Sequence, residues 1–391
     1  MGIIEISKIS VRRGRKMVLS NWSLSVQEGE IVCLIGDNGC GKSTVIESAA
    51  GLIPLDTGIV TISDKLVRDF EGRRGRVNFG LCLQDDCIMG DELVGERILD
   101  AAGMSFDVES LLAKWDLEHR IHDRVAMLSG GQRRRVALLA GVIPAMISKQ
   151  PVAVILDEPD SGLDDSSVEK LAKMLRDLAA GGHSVLVSSH DERIIAVADR
   201  VVSFPEGEKV QTPEKGNFTA IETSGKRSAN IGQRLDSRTL AGLSNNGIAG
   251  LLTLGALLAL VTPSELEGAM LVGFTLAPAL AAGLCGNPMH RLMLENRAFA
   301  WWATKSALPP FPYLQLILGT AGLTILASVI AGEIDWQLVA AGSAFGTLTA
   351  FIVGMVSHST LRLSRPNAVM VRLLTPIVIL PWALLVETLS A

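Results

Sequence analysis

Apolar positions recur in short runs along the first two hundred residues. Residues 3–9 and 18–26 (VLSNWSLSV) alternate apolar and polar, which predicts half-buried strands. EIVCLIG (30–36) is continuously apolar and ends at glycine, the pattern of a buried strand, and VIESAAGLI after it predicts a helix. VAVIL (152–156) and SVLVSS (184–189) are two further apolar, β-branched runs, and residues 91–147 carry mostly helical spacing. Beyond residue 238 the pattern changes. Charge-free runs cover Thr239–Ser264, Gly268–Met289, Ser306–Gly332 and Trp336–Ser357, each longer than the ~20 residues that cross a ~30 Å hydrocarbon layer as helix. A fifth run, Leu373–Val386, has 14 residues, ~21 Å at 1.5 Å per residue. It either extends past Arg372, whose stem would snorkel, or is re-entrant.

Composition sharpens this division. The chain has 391 residues, 48% hydrophobic and 20% charged, with mean hydropathy +0.35. Residues 1–239 hold 30 basic and 35 acidic side chains; residues 240–391 hold 6 of each. The first part has a soluble composition with net charge −5 and the second a membrane composition with none, which excludes a disordered chain, a secreted disulfide scaffold and a purely cytosolic enzyme. With pI ≈ 5.8 there is no global basic field, so nucleic acid is not an expected partner. Four of the five cysteines lie in the soluble part without a CxxC pair, which reads as reduced and cytoplasmic. The first residues alternate like a strand and do not read as a signal peptide.

The loops between the apolar runs orient them. All six basic residues after Leu240 fall in two loops, one with Arg291, Arg297 and Lys305, the other with Arg362, Arg365 and Arg372. The intervening loops carry Glu265, Glu267, Glu333 and Asp335. This puts the soluble half and the two basic loops on the cytoplasmic side. The segment HRLMLENRAFAWWATKSALPPFPY (290–313) begins amphipathic and then presents Trp301, Trp302 and two prolines. It is expected to lie along the membrane surface as the coupling helix, the element that would sit in a groove of the ATPase near Gln84, or else as an interfacial anchor with no coupling role.

Chemistry concentrates in the soluble half. GDNGCGKST (36–44) stands between a strand and a helix, the context of a phosphate loop. Gly36, Asn38, Gly39, Cys40 and Gly41 would turn backbone N–H groups toward phosphate oxygens, with Thr44 opening the helix. Lys42 would reach the β/γ-phosphates, and Ser43 would give its hydroxyl to Mg²⁺. VAVIL delivers Asp157 and Glu158 at a strand end, where Asp157 would hold Mg²⁺ and Glu158 would act as general base on water. LSGGQRRRVALL (128–139) places Ser129, Gly130 and Gly131 at another helix start, a second anion site, with Arg133–Arg135 as a polar helix face.

GDNGCGKST, Gln84 in LCLQDD, LSGGQ, LDEPDSGLD and SSHD (188–191) occur in the order found in ATP-binding-cassette ATPases, and the chain resembles that family over residues 1–210. The resemblance implies an α/β P-loop ATPase domain over 1–210, a linker over 211–238 and an all-α polytopic membrane domain of about five spans over 239–391. ATP and Mg²⁺ are the implied cofactors. Ser129, Gly130, Gly131 and Gln132 would cap the ATP of a partner cassette, with Asp164 at the seam between the two. Gln84 would contact Mg²⁺ and the coupling region, and His190 the γ-phosphate. His119, His122 and His183 have no such context. The family usually stacks an aromatic ring on adenine where this chain has SVRRGRKMV (10–18). Arg13 or Arg12 would replace the ring, with Val18 beside it.

Similarity of RRGRKMVL, GQRRRVALL and GGHSVLVSSH to the haem-export ATPases of cytochrome c maturation suggests that type of cargo. The membrane half resembles exporter permeases in topology, has no charged residue mid-span in its first four runs, and lacks the importer loop: Ala307–Leu308–Pro309 has the end of it without the glycine and spacing. The reading is a half-transporter that pairs with a second copy in lipid and exports an unidentified substrate. The alternative is a membrane-anchored ATPase that transmits force to an envelope partner.

Overall fold

The two alternating runs form an antiparallel hairpin, β1 (Ile4–Arg13) and β2 (Lys16–Val26), turning at Gly14. With β4 (Thr57–Ile62) and β5 (Lys65–Asp69) they make a four-stranded sheet in the order β2-β1-β4-β5. These strands belong to a computed structural model that describes residues 2–204, 207–224, 231–305, 311–360 and 373–390. It divides into two units, Met1–Ile231 with Asn296–Leu308, and Gly232–Glu295 with Pro309–Ala391.

In the first unit the continuously apolar runs become β3 (Ile31–Ile35), β7 (Ala153–Asp157) and β8 (Ser184–Ser188). They sit inside a six-stranded sheet, β10-β9-β3-β8-β7-β6, completed by β6 (Gly80–Cys82), β9 (Arg200–Ser203) and β10 (Glu208–Val210). All pairs are parallel except β9 with β10. A parallel strand is covered on both faces, so every position can be apolar, and β7 and β8 are buried throughout. Register fixes the site: Ser188 pairs with Leu34 on one side and with Asp157 on the other. The carboxyl ends of β3, β8 and β7 therefore lie side by side.

Helices α1 (Lys42–Ala49), α4 (Gly130–Met146), α5 (Asp165–Ala180) and the short α6 (Glu192–Ala196) surround this sheet, with α2 (Val94–Ala102) and α3 (Val108–Ala113) in the helical segment. Residues 211–224, read from sequence as part of a linker, are tied down on this unit. Asn217 N donates to Asp177 Oδ1 (2.8 Å), Ile221 N to Met146 O (2.9 Å) and Ser224 N to Ser105 O (2.9 Å).

The segment from 296 is also part of this unit and corrects the expectation of an interfacial tryptophan pair. In α10 (Ala298–Thr304), Trp301 and Trp302 are 2% and 1% exposed, edge to face at 5.0 Å. The Arg97 guanidinium, itself fully buried, lies 3.3 Å from the Trp301 ring centre. It also donates to Glu92 Oε2 (3.2 Å) and Cys87 O (3.1 Å). A desolvated cation gains from a π face, a carboxylate and a carbonyl together what none would supply alone. Lys305 Nζ donates to Ala101 O (2.9 Å) and sits 5.4 Å from the same ring. Of the coupling helix or anchor expected over 290–313, residues 290–295 end α9 (Pro288–Glu295), residues 298–304 form α10 of the first unit with both tryptophans buried, and 306–310 lie outside the described residues.

The second unit holds α7 (Ile231–Leu260), α8 (Gly268–Leu284), α9 (Pro288–Glu295), α11 (Tyr313–Ala331), α12 (Trp336–Thr360) and α13 (Leu380–Ser390). Four helical stretches, Arg238–Leu260, Gly268–Leu294, Tyr313–Ala331 and Trp336–Ser357, are long and apolar enough to cross a membrane. The fifth run gives a shorter apolar helix, Pro376–Ser390. Arg362, Arg365 and Arg372 lie outside the described residues. At the break between α8 and α9, Asn246 Nδ2 donates to Ala282 O (2.9 Å), which Cys285 N also reaches at 3.3 Å, and to Gly286 O (2.8 Å). On α12, Gly342 and Gly346 admit α11 and α8 closely: a Cβ on Gly346 would stand 2.8 Å from Ala279 O and 2.7 Å from Thr320 Cγ2.

Two outcomes follow from this packing. Gly346→Leu forces backbone apart and should destabilise the second unit by ~1–3 kcal/mol, read as a lower melting temperature in lipid nanodiscs. Lys305 is half-buried as a residue, but its ammonium points inward, and burial, with the Arg97 charge second, lowers its pKa from 10.5 to about 7. The unfolded chain then holds more protons than the folded one between those values, so stability should rise as pH increases through that window. Lys305→Met should remove that rise from a melting series run between pH 6.5 and 9.

Candidate nucleotide site

β3 leads into the glycine loop at its carboxyl end, beside those of its parallel neighbours β8 and β9, the edge at which parallel sheets hold ligands. Gly36 and Gly41 have φ of +141° and +126°, conformations closed to a side chain. A Cβ on Gly41 would also stand 3.2 Å from Val18 Cγ1, so Val18 packs beside the loop. Asn38 and Gly39 are exposed on it, Cys40 is half-buried, and Thr44 is buried in α1. Lys42, 5% exposed, turns its ammonium back over the loop: Nζ donates to Gly36 O (2.7 Å) and Asp37 O (3.2 Å). The loop thus carries a positive charge fixed against its own carbonyls and a helix start behind it, an anion cradle.

Ser43 Oγ lies 3.4 Å from Asp157 Oδ1, a hydroxyl and a buried carboxylate converging from α1 and β7. Both are hard oxygen donors of the kind Mg²⁺ takes. Ser188 Oγ donates to the same Asp157 oxygen at 2.6 Å and accepts from Glu158 N at 3.0 Å. Glu158 has φ +44°, a left-handed backbone that strains a non-glycine residue by ~1 kcal/mol or more. The conformation turns its carboxylate away from the strand direction and onto Gln84, whose Nε2 donates to Glu158 Oε2 at 3.1 Å.

Arg134 holds this arrangement and corrects the reading of Arg133–Arg135 as a polar face. It is 4% exposed. Nη1 donates to Leu83 O (2.7 Å) and Gln84 O (3.2 Å), and Nη2 to Asp157 O (3.2 Å) and Glu158 O (2.6 Å). One guanidinium therefore spaces the Gln84 loop from the two carboxylates. Arg133 pairs with Asp86 (2.7 Å) and Arg135 Nη1 donates to Trp115 O (2.8 Å).

The other expected site residues have these surroundings. Ser129 and Gln132 bond each other in a reciprocal cap of α4: Gln132 N donates to Ser129 Oγ (3.3 Å) and Ser129 N to Gln132 Oε1 (3.0 Å). Gly130 is exposed at that helix start, and Gly131 is close to Gly162 O. Asp164 caps α5, accepting from Ser167 N (2.8 Å) and Ser166 Oγ (3.0 Å), and the Ser167 N–H holds its carboxyl below the usual carboxylate range. His190 is exposed just past β8, on the same sheet edge as Asp157. Arg13 is ion-paired with Glu47 of α1, and Arg12 stands 3.6 Å from Asp56. Ser188 and Arg134 are the functional-looking residues that sequence reasoning passed over. Arg134 shares the i, i+4, i+7 stripe of Leu138 and Gly141, which face the sheet, and that spacing is its signal.

Known proteins carry the same arrangement of sequence. The family described as ABC transporter matches residues 19–161. The chain is 35% identical over 220 residues to the Fe(3+) ions import ATP-binding protein FbpC of Streptomyces coelicolor, an alignment covering 54% of this chain and 61% of that protein. It is 32% identical over 221 residues to the Nod factor export ATP-binding protein I of Bradyrhizobium diazoefficiens, covering 54% of this chain and 70% of the relative. Among solved structures, an ATP binding subunit of an ABC transporter aligns over 60% of this chain and 98% of its own, at 24% identity and TM-score 0.45. The chain spans about three fifths of the length of the first of these relatives. With that match, and with the nucleotide motifs gathered on one sheet edge, the chain belongs to the ABC transporter family, as an ATP-hydrolysing cassette followed by apolar helices.

Proposed function

We propose that this chain is half of a dimeric exporter, with residues 1–210 the ATPase, 211–238 its connection and 239–391 the membrane domain, the ATPase lying in the cytoplasm. The observation that supports coupling is the place of residues 296–305. They lie in sequence between the second and third apolar helices, yet they fold into the ATPase unit. There Arg297 pairs with Asp85 (2.9 Å), the residue after Gln84, and Trp301 stacks on Arg97, which also holds Cys87 O. A segment delivered by the apolar half thus grips both ends of the loop whose Gln84 touches Glu158. Export rests on domain order and the missing importer loop; the relatives above include one import and one export ATPase. The haem-type cargo rests only on segments of the ATPase, so the cargo is left open.

In this reading the loop 36–41, with Lys42 and Thr44, binds the triphosphate, and Val18 packs near the base. Ser43, Asp157 and Gln84 would hold Mg²⁺, which when bound neutralises developing phosphate charge. Glu158 takes the proton of the attacking water, held at its angle by Ser188 and Arg134, and His190 meets the γ-phosphate. Ser129, Gly130, Gly131, Gln132 and Asp164 act on the nucleotide of the second copy.

Glu158→Gln should bind ATP normally while turnover falls ~10²–10⁴-fold, the range for losing a general base; hydrolysis within twofold of wild type would reject the role. Lys42→Ala should instead weaken ATP binding itself in equilibrium titration. For coupling, Arg297→Glu is the gentler probe, since its side chain is 61% exposed. Basal hydrolysis in detergent should stay within about twofold, because the reacting groups are untouched, while any stimulation gained on reconstitution into vesicles should disappear. Truncating Trp301 and Trp302 to Ala should go further and cost stability as well, at ~3–5 kcal/mol per buried ring.

A further inference from the structure

We infer that the cleft roofed by residues 217–221 is a binding site for an anionic amphiphile, an apolar body ended by a carboxylate or phosphate. The site is separate from the nucleotide loop and belongs to no motif of the family. Its accessible volume of about 320 Å³ falls at the small end of ligand pockets, which run ~300–1,000 Å³.

Its walls come from α3, the end of α4, α5 and the strap of residues 211–224. The floor is apolar: Leu111, Trp115 and Leu178 are 3%, 4% and 1% exposed, and Phe218 and the methionines Met146 and Met174 close over them. Thioether side chains adapt to apolar guests of different shape. Three lysines, Lys114, Lys170 and Lys173, border this floor, against one acidic lining residue, Asp177. Asp177 is already used, since its Oδ1 accepts from Asn217 N at 2.8 Å. Lys170 pairs with Asp116 at 2.8 Å. Lys114 and Lys173 are exposed and form no ion pair among the described residues. An apolar floor bordered by two uncommitted ammonium groups selects a ligand with one anionic end. A neutral lipid chain would leave those charges unused, and a small inorganic anion would leave the floor wet.

The roof makes such a site consequential. Residues 217–221 are held at one end to α5 and at the other to the last turn of α4, by the Asn217 and Ile221 hydrogen bonds. Phe218 stands edge-on to His183 at 4.9 Å and lies where Gly181 leaves room for it, a Cβ there being only 2.5 Å from the ring. A guest in the cleft therefore touches α3, α5 and the strap at once, and stabilises the docked strap by mass action.

The test uses the full chain in nanodiscs of neutral lipid, with a diazirine-bearing decanoic acid as photoprobe and peptide mapping by mass spectrometry. Labelling is expected on the peptides that carry Trp115 and Phe218. The charge-reversed double variant, Lys114→Glu with Lys173→Glu, should lower it at least fivefold at unchanged melting temperature and ATP binding. Decanoate or decyl phosphate should compete, and decanol should not. Competition by phenyl phosphate as well would place the guest among soluble aryl anions, whereas competition by the acyl compounds alone would place it among lipid-derived ones; both support the site. Labelling confined to the apolar helices, equal competition by decanol, or labelling indifferent to the charge reversal would overturn it.

Discussion

A single desolvated guanidinium sets the geometry on which the ATPase unit depends. Arg134 gives its two terminal nitrogens to four backbone carbonyls, those of Leu83, Gln84, Asp157 and Glu158. Burying a cation costs several kcal/mol unless its donors are satisfied, and here the carbonyls are joined by a carboxylate, Asp86 Oδ1 at 3.4 Å from Nη1. The consequence is positional. The ends of β6 and β7 are held at one separation, so Gln84 and Glu158 meet through side chains at 3.1 Å while the strained backbone of Glu158 is kept in place. The residue does not need to touch a nucleotide for the site to require it.

A second buried guanidinium plays the matching part some distance along the chain. Arg97 is surrounded by Glu92, the Cys87 carbonyl and the face of Trp301. Both arginines thus hold the stretch that begins at Leu83: Arg134 grips its first residues and Arg97 its carbonyl at Cys87. Under the proposed coupling, movement of α10 would reach that stretch through Arg297, which pairs with Asp85 in its middle. Exposed ion pairs like the last contribute little to stability, ~0–1 kcal/mol. The contact at Trp301 is stacked and desolvated, whereas Arg297 makes an exposed ion pair.

What could be read from the sequence follows the range of each interaction. The phosphate loop and the carboxylate pair are local patterns, glycine spacing and an apolar strand end, and they stand at the ends of β3 and β7 with β8 between them. The four long apolar runs likewise hold the four long apolar helices, of which Trp336–Ser357 keeps the expected bounds and Tyr313–Ala331 begins later than its run. Helix α8 is interrupted at Cys285–Asn287, where Asn246 from another helix donates to Ala282 O and Gly286 O. The tryptophan pair was misplaced because a Trp-Trp step beside lysine and proline is the local mark of a membrane interface. Its partner, Arg97, lies two hundred residues earlier, and no local pattern joins them. The strap over 211–224 has the polar, glycine-bearing composition of a linker, and what packs it, backbone hydrogen bonds to Asp177, Met146 and Ser105 and the close approach of Gly216 to Arg176 O, leaves no local mark in the sequence.

The capping residues raise a different point about how one side chain serves two structures. Ser129 and Gln132 bond each other, and Asp164 bonds the first turn of α5, contributions of ~0.5–2 kcal/mol each to helix starts. Under the dimer reading these same groups meet a nucleotide held by the second copy. The two uses do not conflict. A reciprocal cap satisfies the donors at Ser129 and Gln132 but leaves the N–H groups of exposed Gly130 and half-buried Gly131 pointing out of a 17-residue helix with no acidic side chain in its first turn. The cap makes that helix start rigid before any anion arrives, so ordering it costs nothing at the moment of closure. A loosely held serine would have to lose that freedom on binding, and the affinity of one copy for the other's nucleotide would fall accordingly.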